Sequence, residues 1–140
     1  MKLLMTTDCA IRMLLCLAVE KHLIVSEELA HKVGVKRKYL IDVGKVLRDA
    51  EIVSVSPGPY GGYSLAKPAE SILIQDILEV FDDTVQCSYL NSLTGTAATT
   101  AECFYDEIEQ CTEALCKSHT LADLVKGKIN KRVVQTQKYS

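Results

Sequence analysis

Residues 56–62, SPGPYGG, lie between two short extended runs, IVSV (52–55) and YSLA (63–66). Proline fixes φ near −65° and glycine reaches φ > 0, so the stretch reads as a turn and its flanks as the arms of a β-hairpin with a long tip. The fifty residues before it carry helical spacing instead. Ile11, Leu14, Leu15 and Ala18 share one face of a first helix over about 7–21, with Thr6 or Thr7 as its cap. Ser26 is the expected cap of a short second helix, EELAHKV, which Gly34 ends. A third helix spans about 36–50, with Tyr39, Leu40, Val43, Val46, Leu47 and Ala50 at i, i+3, i+4 spacing.

Helix, helix, helix, hairpin is the order of a winged helix-turn-helix, so the fold class expected is mainly α with a small β-hairpin wing. Beyond the hairpin, residues 73–81 form another amphipathic helix. Residues 92–101, SLTGTAATTA, read as a loop, and a last helix is expected over about 121–134. With 140 residues, 48% hydrophobic and 24% charged, the chain is long enough to bury one ordinary core. The apolar N-terminus is interrupted by Asp8 and Arg12, and no apolar run reaches the ~18 residues of a membrane span. A cytoplasmic protein with reduced thiols is the expectation. No phosphate loop, nucleophile–base pairing or carboxylate pair argues for an enzyme.

The net charge of −2 is unevenly spread. Residues 1–67 hold ten Lys/Arg against seven Asp/Glu, residues 68–116 hold none against ten, and residues 117–140 hold six against one. The basic front end holds the expected DNA surface. Lys36, Arg37, Lys38 and Tyr39 open the third helix, which a helix-turn-helix lays in the major groove, and Lys45 and Arg48 lie further along it. Ser26 begins the preceding helix. Gly58, Tyr60, Gly61 and Gly62 form a wing tip with little Cβ bulk, suited to lying against a sugar–phosphate backbone. Gly44, inside the third helix, costs about 1 kcal/mol relative to Ala and has no local explanation beyond close packing or close approach to DNA.

The acidic stretch ECFYDEIEQCTEALCKSH (102–119) holds three of the six cysteines. Three thiolates and one further ligand satisfy an iron–sulfur cluster, and Cys111, Cys116 and His119 equally suit zinc. A disulfide switch and inert packing remain open; the surrounding carboxylates disfavour a free reactive thiolate. Cys87 and His31 are further candidate ligands, whereas Cys9 and Cys16 read as core.

Three segments, MKLLMTTDCAIRMLLCLA, SEELAHKVGVKRKYLIDVGKVLRDAEIV and GPYGGYSLAKP, together resemble the family of bacterial winged-helix regulators that includes IscR, NsrR and CymR. The resemblance implies a homodimeric transcription regulator, a repressor, that binds a pseudo-palindromic double-stranded DNA operator and pairs through a long C-terminal helix. It also implies an iron–sulfur cluster, [2Fe-2S] or [4Fe-4S], on Cys103, Cys111 and Cys116, with Asp8 of the partner subunit as fourth ligand. Zinc or no cofactor is the alternative. The spacing here is C-x7-C-x4-C against the family's C-x5-C-x5-C, and Pro57 stands where an arginine often precedes the wing. The organisation expected is therefore a DNA-binding domain over 1–81, a cysteine-containing sensor loop over 82–117, and a dimerisation helix and tail over 118–140.

Overall fold

A computed structural model describes residues 4–82 and 95–127. Six helices and one hairpin follow in order among them: α1 (Met5–Glu20), α2 (Ser26–Val33), α3 (Arg37–Asp49), β1 (Val53–Ser56), β2 (Gly62–Leu65), α4 (Ile74–Val80), α5 (Thr96–Ser118) and α6 (Leu121–Val125). A single 3-10 turn, Ala69–Ser71, leads into α4.

α1 is the central post. Met13, Leu14 and Leu17 are fully buried on it, and α2 and α3 pack against it through Leu29, Val33, Leu40, Val43 and Leu47. Its start differs from the sequence reading. The helix begins before Thr6, Leu4 is its N-cap residue, and Thr7 is buried rather than capping. Lys21 in the left-handed region ends it, donating its N–H to the Leu17 carbonyl. α2 ends at Gly34, whose φ of 83° suits glycine, and this turn of the helix-turn-helix is legible in the sequence.

The wing is antiparallel, with Val53 opposite Leu65, Val55 opposite Tyr63 and Ser56 opposite Gly62. A third stretch joins it. Ile24 donates to the Tyr63 carbonyl at 2.9 Å and accepts from the Tyr63 N–H at 2.8 Å. The α1–α2 connection is thereby tied to the wing.

The C-terminal part corrects two expectations. Residues from Thr96 onward are helical where a loop was expected, and α5 runs unbroken for 23 residues through all three cysteines of the acidic stretch. Its threonines do not break it, because Thr99, Thr100 and Thr112 turn their hydroxyls back onto carbonyls four residues earlier. The helix expected over 121–134 is the short α6, followed by Lys126 and by Gly127 at φ 66°; residues 128–134 lie outside the described residues. α6 belongs to the core. Leu121 is fully buried, its N–H bonds the Ile72 carbonyl at 2.8 Å, and Ile74 N–H bonds the His119 carbonyl at 3.0 Å. Thr120 and Asp123 cap α6 reciprocally, Asp123 N–H to Thr120 Oγ1 at 3.2 Å and Thr120 N–H to Asp123 Oδ2 at 3.0 Å. α5 touches α4, and the chain rejoins the core from Thr120 onward. No described helix is long and apolar enough to cross a membrane.

Candidate nucleic-acid interface and the cysteine helix

α3 divides cleanly by its period. Leu40, Val43, Gly44 and Leu47 face the core, while Lys36, Arg37, Lys38, Lys45 and Arg48 are exposed. The exposed cations differ in how free they are. Lys45 lies 4.0 Å from Asp42, and Arg48 pairs with Asp49 at 3.1 Å. Such exposed pairs are worth about 0–1 kcal/mol and yield readily to a phosphate. Lys36 and Lys38 have no ion-pair partner among the described residues. Arg37 donates from Nε to Ser26 Oγ at 2.9 Å, joining the starts of α2 and α3. Ser26 is the first residue of α2 rather than its cap, which is Val25; its hydroxyl is committed to Arg37 instead. Tyr39 is half-buried against the core, where burial and then the neighbouring Cys9 and Asp8 push its hydroxyl pKa up. That placement turns it from the exposed cations toward α1.

The wing stands beside this surface. Together the start of α2, the α3 residues Arg37 and Ile41, and the wing tip enclose a hollow of about 430 Å³. A Cβ on Gly61 would lie 1.9 Å from the Ser56 carbonyl oxygen, so the tip closes only around glycine there. Tyr60 is 94% exposed at the apex. On β2, one pair in from the tip end of the ladder, Tyr63 is buried and its ring lies over Gly44, where a Cβ would meet Tyr63 Cε1 at 2.7 Å. Gly44 therefore sits in α3 to admit the wing's tyrosine. Burial pushes the Tyr63 hydroxyl pKa up, and nearby Arg48 and Arg37 partly offset this.

The cysteines are arranged differently from the expectation. On an ideal helix Cys103 and Cys111 are about 12 Å apart along the axis, Cys111 and Cys116 about 7.5 Å, with turns of roughly 80° and 140° between them. Thiolates around one cluster or one zinc ion must converge on a single centre, and these do not converge within one chain. They do not fit as a joint ligand set on an unbroken α5. No group of three or more His, Cys, Asp or Glu among the described residues is placed to hold a metal ion. Asp8 sits in the first turn of α1, paired with Arg12 at 3.1 Å. His119 ends α5 with Nδ1 3.0 Å from the Leu115 carbonyl oxygen. His31 is exposed on α2, and Cys87 lies outside the described residues. Cys9 is buried and Cys16 half-buried, as core residues; burial raises the pKa of both thiols and of Cys116. Cys103 and Cys111 are exposed.

α5 also carries a feature the sequence reading missed. Ala97, Ala101, Phe104, Ile108, Cys111 and Leu115 recur at alternating spacings of four and three, the a/d pattern of a helix-pairing seam. No residue of α5 is buried, and Phe104 and Leu115 are 58% and 60% exposed. The pattern is present in the sequence, where small residues at its start and a cysteine within it make it weakly apolar.

A basic third helix, a short second helix and a glycine-tipped hairpin on one face define a winged helix-turn-helix DNA-binding protein. Residues 3–127 match the Rrf2 family, described as iron-dependent transcriptional regulators, and the chain belongs to that family. It is a family of DNA-binding transcription regulators, not enzymes. The chain is 30% identical over 132 residues to protein rrf2 of Nitratidesulfovibrio vulgaris, covering 90% of this chain and 88% of that one. It is 37% identical over 71 residues to the HTH-type transcriptional regulator IscR of Cereibacter sphaeroides, but spans only 43% of that relative's length. Among solved structures, the fold matches CymR, the global cysteine regulator of B. subtilis, at a TM-score of 0.77 with 22% identity, covering 90% of this chain and 97% of that one. It matches T. potens IscR at 0.73 with 23% identity, covering 92% and 89%.

The Gly44–Tyr63 contact gives a sign opposite to helix propensity. Gly44→Ala should gain about 1 kcal/mol by propensity alone. Overpacking against Tyr63 should instead leave the variant less stable by about 1–3 kcal/mol, measured by denaturant unfolding.

Proposed function

We propose that this regulator binds a pseudo-palindromic operator as a homodimer and represses by occupying it. α3 of each copy enters the major groove, and the wing lies along the adjacent backbone. The observation that carries this reading is that Lys36 and Lys38, at the exposed start of α3, have no partner among the described residues, beside the hollow bounded by Ser26, Arg37 and the wing. Two recognition helices about 34–36 Å apart would meet successive turns of DNA. Each lysine that neutralises a phosphate contributes about 0.9 to the slope of log affinity against log salt. Lys36→Ala and Lys38→Ala should each lower that slope by about this amount in gel-shift or anisotropy titrations. Unchanged slopes would place the DNA surface elsewhere.

The dimer rests on α5. A 23-residue helix with no buried residue and an apolar seam leaves its hydrophobic face to a partner, and a second copy of α5 presents the same pattern. Ile108 stands near the middle of the seam. Ile108→Glu should convert the dimer to monomer in sedimentation experiments, while each chain keeps its fold, because Ile108 is exposed in the single chain.

For the signal, the geometry favours a reading without a cluster on Cys103, Cys111 and Cys116 of one chain. Input then reaches α5 through a small molecule, a protein partner or oxidation of its exposed thiols. Ligation by all three cysteines would require α5 to break. The family's description as iron-dependent makes the direct assay decisive. Protein purified anaerobically should hold no stoichiometric iron or acid-labile sulfide. A stoichiometric cluster that disappears in Cys111→Ala would overturn this reading in favour of the iron–sulfur sensor.

A further inference from the structure

A second hollow, of about 600 Å³, lies at the base of the wing. It shares no lining residue with the hollow beside the wing tip. The end of α1, the chain leaving β2, and α6 form its walls. Its apolar part is made by Leu17, Ala18, Leu65, Ala122 and Val125. Leu17, Ala18 and Ala122 belong to the buried core, so this floor is built on fixed side chains.

The remainder is cationic. Lys21 closes α1, Lys67 follows β2, and Lys126 follows α6. None of the three ammonium groups has an ion-pair or hydrogen-bond partner among the described residues. Glu70 is the single carboxylate of the lining. His22 turns to Glu20, with Nε2 3.3 Å from the carboxylate. Lys21 and Lys126 stand at helix C-terminal ends, where a cation is favoured. Lys67 has no helix end to serve, and it is half-buried with its charge unmatched. Three ammonium groups against one carboxylate, above an apolar floor, are complementary to a molecule with an anionic head and an apolar body. The volume falls in the range of small-ligand pockets, about 300–1,000 Å³.

We propose that this cleft binds a small organic anion, and that the ligand acts as an effector. The site joins β2, which carries the wing, to α6, which follows α5 after two residues. A ligand held by Lys67 and Lys126 together biases the wing relative to the element leading from α5. Any preference it has for one arrangement appears as a change in DNA affinity, and DNA changes its affinity by the same factor. The effector role rests on the operator-binding reading, but occupancy of the cleft does not, because it is measured without DNA.

The test uses 1-anilinonaphthalene-8-sulfonate, which carries an anionic head on an apolar body, titrated by fluorescence into the full chain. The wild type should bind it saturably at one site. Lys67→Glu and Lys126→Glu should each weaken binding about tenfold or more, since a charge-assisted contact becomes a repulsion. Gln110→Ala, exposed on α5 and outside the seam, should leave binding unchanged. Thermal unfolding confirms that the charge variants fold. Equal affinity in the lysine variants, or loss in Gln110→Ala alone, would overturn the proposal. Displacement of the dye by hexanoate or by hexyl phosphate supports it and names the head group as carboxylate or phosphate. Displacement by neither overturns it. Lysine variants that weaken DNA binding while leaving dye binding intact would also overturn it, assigning these lysines to the nucleic-acid backbone.

Discussion

Tyr63 holds the DNA-binding half together. Its backbone pairs with Val55 across the hairpin and exchanges two hydrogen bonds with Ile24, and its ring covers Gly44 on α3. One residue thus fixes the wing to the α1–α2 connection and to the recognition helix. A wing and a recognition helix must keep a set separation to meet the duplex together. Here that separation is set by a side chain against a backbone with no Cβ, a contact that leaves little slack in a close-packed interior. The charges of α3 depend on this frame, since Arg37 reaches Ser26 only while α2 and α3 keep their angle.

The C-terminal half follows a different logic. α4 and α6 pack on α1 and are tied to each other by the Ile72–Leu121 and Ile74–His119 bonds, and α5 lies between them in the chain with every residue at least partly exposed. A long amphipathic helix that packs mainly on α4 and buries no residue gains most of its stability from packing, so α5 is the described element most dependent on a neighbour. Its acidic character separates it from the basic DNA surface, and its thiols lie at different heights and angles along it. In the proposed dimer, a signal that acts on α5, or on α6 beside it, would act on the contact between copies and so on the spacing of the two α3 helices.

Much of the first half was legible in the chain. The three-helix order, the Gly34 turn, the hairpin and the basic start of α3 follow from periodicity, from positive-φ glycine and from proline, all of which are local rules. Cap assignments were less secure. Ser26 has the chemistry of a cap, but its hydroxyl serves Arg37, eleven residues away, and the sequence gives no sign of such a preference. Tyr39 sits among cations in the sequence and against the core in the fold, because one step around a helix is about 100°. In the second half the small, weakly patterned residues 92–101 and the family resemblance suggested a loop, while the seam at fours and threes, equally present, specified a helix.

By itself the sequence determined the winged helix-turn-helix, the segregation of charge and the residues available to meet DNA, since these rest on short-range geometry and composition. Tertiary structure alone decided three matters. Gly44 exists to admit Tyr63. Leu121 and its short helix pack into the core. The cysteines of α5 are held apart rather than gathered. Each depends on where residues distant in the chain, or turned to different faces of one helix, come to lie in space, and residue spacing alone does not fix that.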